Sequence, residues 1–286
     1  MLGRLFLFLA MAGLPCSGGW AQLEVHLETP KAAYLQYAQI PFTIYLKNIG
    51  GEEIVLESVG GRPWLELLVQ SRDGLLIRAE KPFSPSDKRL KVGESAVLPV
   101  DLAAYFLVRE LGGYKARASV RMASGQTLLT EPLDFLLGRG EVVWSQTRGE
   151  GVDQHIYSLL KFYEDPNVGL YLRVEVPGKN IVYPSRRLGP YLPLTKPAVE
   201  FDGQNHLHLL YQTAAGVHRM TVVSEDGRML REETRQEGVE KPRIRKEESG
   251  EVVVEGGNVI LPNALRERLS TLQARIGAVA PPAEKN

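Results

Sequence analysis

The sequence predicts an all-β chain of two modules: a β-sandwich, then a β-repeat domain of propeller-blade-like or β-meander type, followed by one short C-terminal helix. Three observations carry this. Apolar and polar residues alternate in short runs, the period of two of a strand with one buried face. Turn signals built on glycine, asparagine and aspartate separate those runs. The second half of the chain repeats itself at 45 to 51 residues, near the length of a propeller blade. A chain of 286 residues is long enough to build a core in each of two domains.

Residues 1–21, MLGRLFLFLAMAGLPCSGGWA, read as a secretory signal. Arg4 provides the basic start, Leu5 to Leu14 the apolar run, and Gly19 and Ala21 the small residues before a cut after Ala21. A lipoprotein signal ending at Cys16 is the alternative, but Leu14 and Pro15 stand where a small residue should precede the cysteine. Cleavage after Ala21 removes the one cysteine, and with it disulfides, thiol catalysis and cysteine metal ligands. The expected location is the periplasm or the exterior. No later segment offers the roughly 20 continuous apolar residues of a membrane helix.

Residues 22–138 read as strand after strand. In QIPFTIYLKN, Ile40, Phe42, Ile44 and Leu46 alternate with Pro41, Thr43, Tyr45 and Lys47, and the Asn48–Gly51 turn then reverses the chain. LELLVQ and LLIRAE flank a turn containing Asp73-Gly74, whose backbone tolerates positive φ. SAVLPVDL, YKARASVRM and QTLLTEPLDFLL follow, with Ser124-Gly125 as the last hairpin turn. Seven or eight short strands in about 115 residues suit a sandwich of immunoglobulin type.

Two stretches carry a family resemblance. TPKAAYLQYAQIPFTIYLKNIGGEEIVL is similar to the opening strands of bacterial exported immunoglobulin-like modules, and LKVGESAVLPVDL with LGGYKARASV resembles their later half. The resemblance covers residues 22–138 and is to the architecture of BsuPI-like proteinase inhibitors and macroglobulin-like domains. It implies a β-sandwich whose Tyr114 is the corner tyrosine, bonding back to the backbone. A fold of this kind hosts inhibitors, adhesins and spacers, so no activity comes with it.

Residues 139–152, rich in glycine and mixed charge, read as a linker. In the repeat domain, 153–260, KPAVEFDGQNHLHLL from Lys196 lies over KPRIRKEESGEVVV from Lys241, with Val199 over Ile244, Leu207 over Val252 and Leu209 over Val254. Two copies and a fraction cannot close a ring that needs about four blades. An open meander, or two blade-like sheets packed face to face, is the expectation. Residues 261–286 supply an amphipathic helix and a flexible tail. The helix has Asn263 as N-cap and Leu265, Leu269, Leu272 and Ile276 on one stripe.

Lysine plus arginine equals aspartate plus glutamate at 34 each, which argues against nucleic acid as a partner. Nucleophile-elbow, zincin, phosphate-loop and calcium-loop motifs are missing from the sequence. Asp153, Asp202 and Glu200 are scattered carboxylates of the kind any β-rich chain offers for glycoside chemistry. Arg186-Arg187 and the 241–246 run read as solvated charged edges rather than an anionic-ligand patch.

QNHLHLLYQTAAGVHRM, residues 204–220, holds three of the five histidines. A hairpin turning at 213–216 puts Gln212 opposite Val217, so His218 faces Tyr211 while His206 and His208 point to the other face. That pair is the one weak candidate for a metal; the expectation is no metal and no cofactor. Trp64 reads as core and Trp144 as junction packing, with exposed binding platforms as the alternative. Together with Lys88 and Arg89 they are the candidate contact residues. The expected function is an exported, non-enzymatic binding or assembly protein of the bacterial envelope or exterior, with an unknown protein or glycan partner. The alternatives are a proteinase inhibitor using the loop from Lys81 to Glu94, and a carbohydrate-active enzyme.

Overall fold

The computed structural model describes residues 23–260; residues 1–21 with Cys16, expected as a signal, and residues 261–286, expected as a helix and tail, lie outside the described residues. Among the described residues the regular structure is β, interrupted by three single-turn 3₁₀ segments. No described helix is long and apolar enough to cross a membrane.

The first module is a β-sandwich. Pro41–Asn48 is the middle strand of one sheet, flanked by Leu23–Glu28 and Ser95–Asp101. The facing sheet runs Ala33–Leu35, Leu133–Gly138, Gly112–Arg121, Leu65–Ser71, Leu76–Ile77. Its first pair is parallel and the others antiparallel. The alternating residues Ile40, Phe42, Ile44 and Leu46 are all buried and meet Trp64, Leu65, Leu67 and Phe135 from the other side in one core. The Asn48 turn is held by its own side chain, whose amide donates to the carbonyls of Glu52 and Leu90 while its oxygen accepts from the Gly50 N–H. An Asx turn of this kind explains why asparagine stands there. Tyr114, at the entrance of Gly112–Arg121, donates its hydroxyl to the Glu110 carbonyl at 2.7 Å.

The second module holds two antiparallel meanders. The first comprises Glu141–Arg148, His155–Glu164 and Asn167–Val176, the last also pairing with Ile181–Val182 and Arg186–Pro190. The second comprises Ala198–Phe201, Leu207–Ala214, Val217–Val223, Met229–Gln236 and Asn258–Ile260. Tyr157, Leu159, Leu170 and Leu172 of one share a core with Phe201, Leu207, Leu209 and Tyr211 of the other, an arrangement like adjacent propeller blades. Residues 139–152, expected as a linker, instead supply the first strand of this module, paired with His155–Glu164 along its length. The glycines around it serve close packing. A Cβ on Gly138 would stand 2.8 Å from the Phe162 ring, and one on Gly140 would stand 2.9 Å from Leu35.

A further hairpin, Arg243–Lys246 with Val252–Glu255, forms a two-stranded sheet of its own. Its pairing of Ile244 with Val254 has the register of Val199 with Leu209, 45 positions earlier. The turns match too. Asp202 N–H donates to the His206 carbonyl as Glu247 N–H donates to that of Glu251.

Candidate functional site

The Lys31–Gln39 stretch of the first module lies against the Asn167–Val176 and Arg186–Pro190 strands of the second, and the seam between them gathers the strongest polar network. Tyr37 takes a left-handed backbone, φ 66°, which turns its carbonyl onto the Ser185 N–H at 2.7 Å. Its ring lies beneath the Arg173 guanidinium, 5.0 Å away. Arg173 also donates to the Gln36 carbonyl at 2.8 Å and to the Ser185 hydroxyl at 3.1 Å. Beside this polar strip, Leu35 and Ala38 pack on Leu160, Phe162 and Tyr171 in a small core of their own. The modules are thus joined by burial as well as by charge.

Glu164 sits at the centre. Its side chain is 3% exposed and pairs with Lys31 across the seam at 2.6 Å and with Arg187, two strands away in the same sheet, also at 2.6 Å. Arg187 reaches it through both Nε and Nη2, and the Tyr171 hydroxyl donates to Oε1. Burial raises the carboxyl pKa, but the hydrogen bonds from Arg187, Lys31 and Tyr171 outweigh it and hold the group at about 2. The same contact, after burial, pushes the Tyr171 phenol up. Gly169 lies opposite, where a Cβ would stand 2.8 Å from the Glu164 carboxyl carbon. Only a residue without a side chain leaves this carboxylate its place.

Two recesses open along the seam on either side of Ala38, Gln39 and Pro184. One, a cavity of about 210 Å³, is bounded by Lys31, Tyr34, Pro41, Arg186 and Arg187. The other, about 260 Å³, is bounded by Asp101, Phe106, Leu107, Arg109 and Val182. They share Ala38, Gln39 and Pro184 as common lining, and each mixes charged with apolar side chains. Arg186, expected as part of a solvated edge, fixes its guanidinium by donating Nε to the Gly227 carbonyl at 2.9 Å. Arg187, expected likewise, keeps 40% of its side chain exposed while bonding Glu164.

The histidine stretch is arranged otherwise than its spacing suggests. A bulge between Gln212 and Ala214 pairs Ala214 with Val217, so His218 lies opposite Gln212 and Tyr211 opposite Arg219. The extra residue at Thr213 reverses the faces beyond it. His218 therefore shares a face with His208, not with Leu207 and Leu209. Its side chain is 4% exposed, neither ring nitrogen has a hydrogen-bond partner, and burial depresses its pKa. His206 and His208 converge on a residue their spacing does not reveal. Asp202 Oδ2 accepts from His206 Nδ1 at 3.1 Å and His208 Nε2 at 2.9 Å. Its Oδ1 accepts from the backbone N–H groups of Gln204 and His206. Burial raises the Asp202 carboxyl, but these donors bring it to about 2. Among the described residues no three histidine, cysteine or carboxylate side chains are grouped to hold a metal.

The remaining predicted residues are not brought together. Trp64 is 1% exposed inside the sandwich core, so it offers no contact surface, and the platform alternative is corrected by its burial. Trp144 is half-buried and packs against the core of the second module. Lys88 and Arg89 lie on a short ribbon with Ile54–Leu56, where Arg89 approaches Glu53 at 3.8 Å. The 81–94 loop is pinned: Phe83 packs edge-on against Tyr105 and Leu90 is buried. Asp153 is paired with Lys179 at 2.6 Å. Glu200 lies opposite His208 on the neighbouring strand.

No protein-family model and no curated protein matches the chain. Solved structures are similar over part of it. The CARDB domain of a Pyrococcus furiosus protein in complex with di-metal ions has 17% identity, over 41% of this chain and 87% of that one, with a TM-score of 0.27. Spo0M, a sporulation control protein from Bacillus subtilis, has 10% identity over 57% of this chain and 83% of that one, TM-score 0.28. A cycloalternan-forming enzyme from Listeria monocytogenes in complex with a pentasaccharide substrate has 13% identity over 70% of this chain but 18% of that one, TM-score 0.20. None of these likenesses carries an activity over to this chain.

Proposed function

We propose that the chain is an exported, non-enzymatic binding protein of the bacterial cell envelope or exterior, and that its two β-modules grip a protein or glycan partner along their seam. The first module is read as immunoglobulin-like. Support comes from its strand order, with a short strand parallel to Leu133–Gly138, and from the Tyr114 bond to Glu110 at a strand entrance. The signal-like 1–21 segment supports export.

One observation carries the binding reading. The carboxylate at the centre of the seam is saturated with donors and held at about 2, so near neutral pH it neither gives nor takes a proton. A general acid or base has the opposite requirement, a pKa near the working pH. What such a group does is lock two surfaces into one shape, and pre-organisation of that kind favours binding.

The test uses the full mature chain as bait against the native envelope fraction, beside a Val182→Glu variant that places a charge beside Phe106, Leu107 and Val108 in the second recess. Wild type should retain a partner that the variant retains at least about tenfold less, as expected when a charge is placed in an apolar contact. Equal recovery by both chains, or turnover of a protein or polysaccharide substrate by the purified chain, would overturn the reading.

A further inference from the structure

The second copy of the 45-residue repeat stops where the first goes on. In the first, Leu207–Ala214 pairs with Ala198–Phe201 on one side and with Val217–Val223 on the other. In the second, Val252–Glu255 pairs with Arg243–Lys246 alone among the described residues. Gly256 and Gly257, both with positive φ, then turn the chain away, and Asn258–Ile260 joins the sheet of the first copy beside Thr234 and Gln236. One edge of the second hairpin is therefore open where its counterpart is covered.

The register says which groups this edge presents. Glu247 N–H donates to the Glu251 carbonyl, so Glu251, Val253 and Glu255 turn their backbone groups toward the Arg243–Lys246 side. The alternation of an antiparallel ladder then points the N–H and C=O of Val252 and Val254 outward. These two stand where Leu207 and Leu209 stand in the first copy, opposite Val223 and Thr221. The edge carries three consecutive valines with no proline or lysine among them, so it lacks the usual devices that blunt a free strand. A bare β-branched edge is a template for an added strand.

Sequence limits what that strand can be. Residues 262–268, which lie 45 positions beyond Val217–Val223, read PNALRER and contain none of the β-branched residues of VHRMTVV. A second copy pairing valine to valine along the edge sets Glu251 opposite Glu255 at both ends, and like charges facing each other destabilise a pair. We propose that Val252–Glu255 accepts an extended segment of another protein, antiparallel, in the place that Val217–Val223 takes in the first copy. The residues of that segment opposite Val252 and Val254 are β-branched, as Val223 and Thr221 are. A lysine or arginine follows them to face Glu251, which is exposed. Glu255 needs no such partner, since Arg243 and Arg245 already pair with it. The site is separate from the seam and does not depend on it.

The probe is a capped peptide, VHRMTVVK, the 217–223 strand with a lysine added. It is titrated into the full chain while the amide resonances of Val252, Val253 and Val254 are followed. Val252 and Val254 should shift and exchange more slowly with solvent, with a dissociation constant of about 0.1–1 mM. Ending the peptide in glutamate should weaken it about threefold or more, and methylating the peptide nitrogens that face Val252 and Val254 should abolish binding. Val254→Pro removes one outward N–H and leaves the bonds to Arg243–Lys246 in place. It should weaken binding about fivefold or more while the Val253 amide stays protected, and Val182→Glu should leave peptide binding unchanged. Unmoved Val252 and Val254 amides up to about 5 mM peptide, or equal binding by the methylated or the glutamate-ended peptide, would overturn the inference. So would slow exchange at both amides in the chain alone, which would mean that a second copy or the chain's own 261–286 segment already takes the edge.

Discussion

Replacing Glu164 with Gln tests the seam most directly, because the two side chains have nearly the same shape and differ in charge. The native carboxyl is held at about 2 against an ordinary 4.5. At about 1.36 kcal/mol per unit, the folded state is favoured by on the order of 3 kcal/mol at pH 7. The folded value lies below the unfolded one, so this stabilisation is complete above 4.5 and is lost as pH falls toward 2. At pH 3 roughly half should remain. Glutamine mimics the protonated carboxyl, and the variant should therefore lose on the order of 3 kcal/mol at pH 7 and half as much at pH 3. Lys31 and Arg187 keep 28% and 40% of their side chains exposed, so water takes over part of their solvation and the loss stays at the low end for a broken buried pair. Urea unfolding of both chains at the two pH values, followed by tryptophan fluorescence, gives the four numbers needed. Every other carboxylate is common to both chains and cancels in the difference. A deficit below about 1 kcal/mol, or one equal at the two pH values, would refute the argument.

Four further outcomes follow from the same geometry. Gly169→Ala should lower stability by about 1–3 kcal/mol by pressing on the Glu164 carboxyl, and its effect should add less than fully to that of Glu164→Gln; full additivity in urea unfolding would separate the two. Tyr114→Phe should cost about 1 kcal/mol through loss of the bond to Glu110, read from the same kind of unfolding curve. Asp202→Asn should cost about 1–2 kcal/mol at neutral pH, and because the native carboxyl sits at about 2 the deficit should shrink as pH falls below 3.8. Zinc should leave the Tm of wild type and of His208→Ala equally unchanged, since Asp202 already engages both histidines; a rise for wild type alone would show a bound metal.

How much was legible in the sequence depends on how far a signal reaches along the chain. The alternation of Ile40, Phe42, Ile44 and Leu46 is local, and all four are buried as it requires. The Asp73-Gly74 and Ser124-Gly125 turns are local as well, and both glycines have positive φ. The strand Glu141–Arg148 is hidden because it lies at a sheet edge with most of its side chains exposed, so it lacks the apolar alternation of a half-buried strand. The bulge at Thr213 leaves no compositional trace, yet one extra residue moves His218 to the opposite face. Glu164 could not be singled out from its neighbours. Its partner Lys31 is 133 positions away, and no periodicity links the two.

The 45-residue repeat separates scaffold from decoration. Both copies turn over four residues, and the fourth is left-handed in each: Asn205 at φ 61° and Gly250 at φ 85°. Asparagine and glycine are the residues that tolerate that conformation, so the turn is set by backbone need. The two turns also meet, Gly203 N–H donating to the Gly250 carbonyl at 3.1 Å. Where the first copy carries His206 and His208 beside Asp202, the second carries Glu251 and Val253 beside Glu247 in the same register. The hairpin therefore folds without the histidine cluster, which is particular to the first copy. The seam differs in kind: Lys31 belongs to one module and Glu164 and Arg187 to the other, so neither module alone contains it. A feature that exists only when the two folded units meet holds their relative placement, so its loss is felt between the modules rather than inside either one.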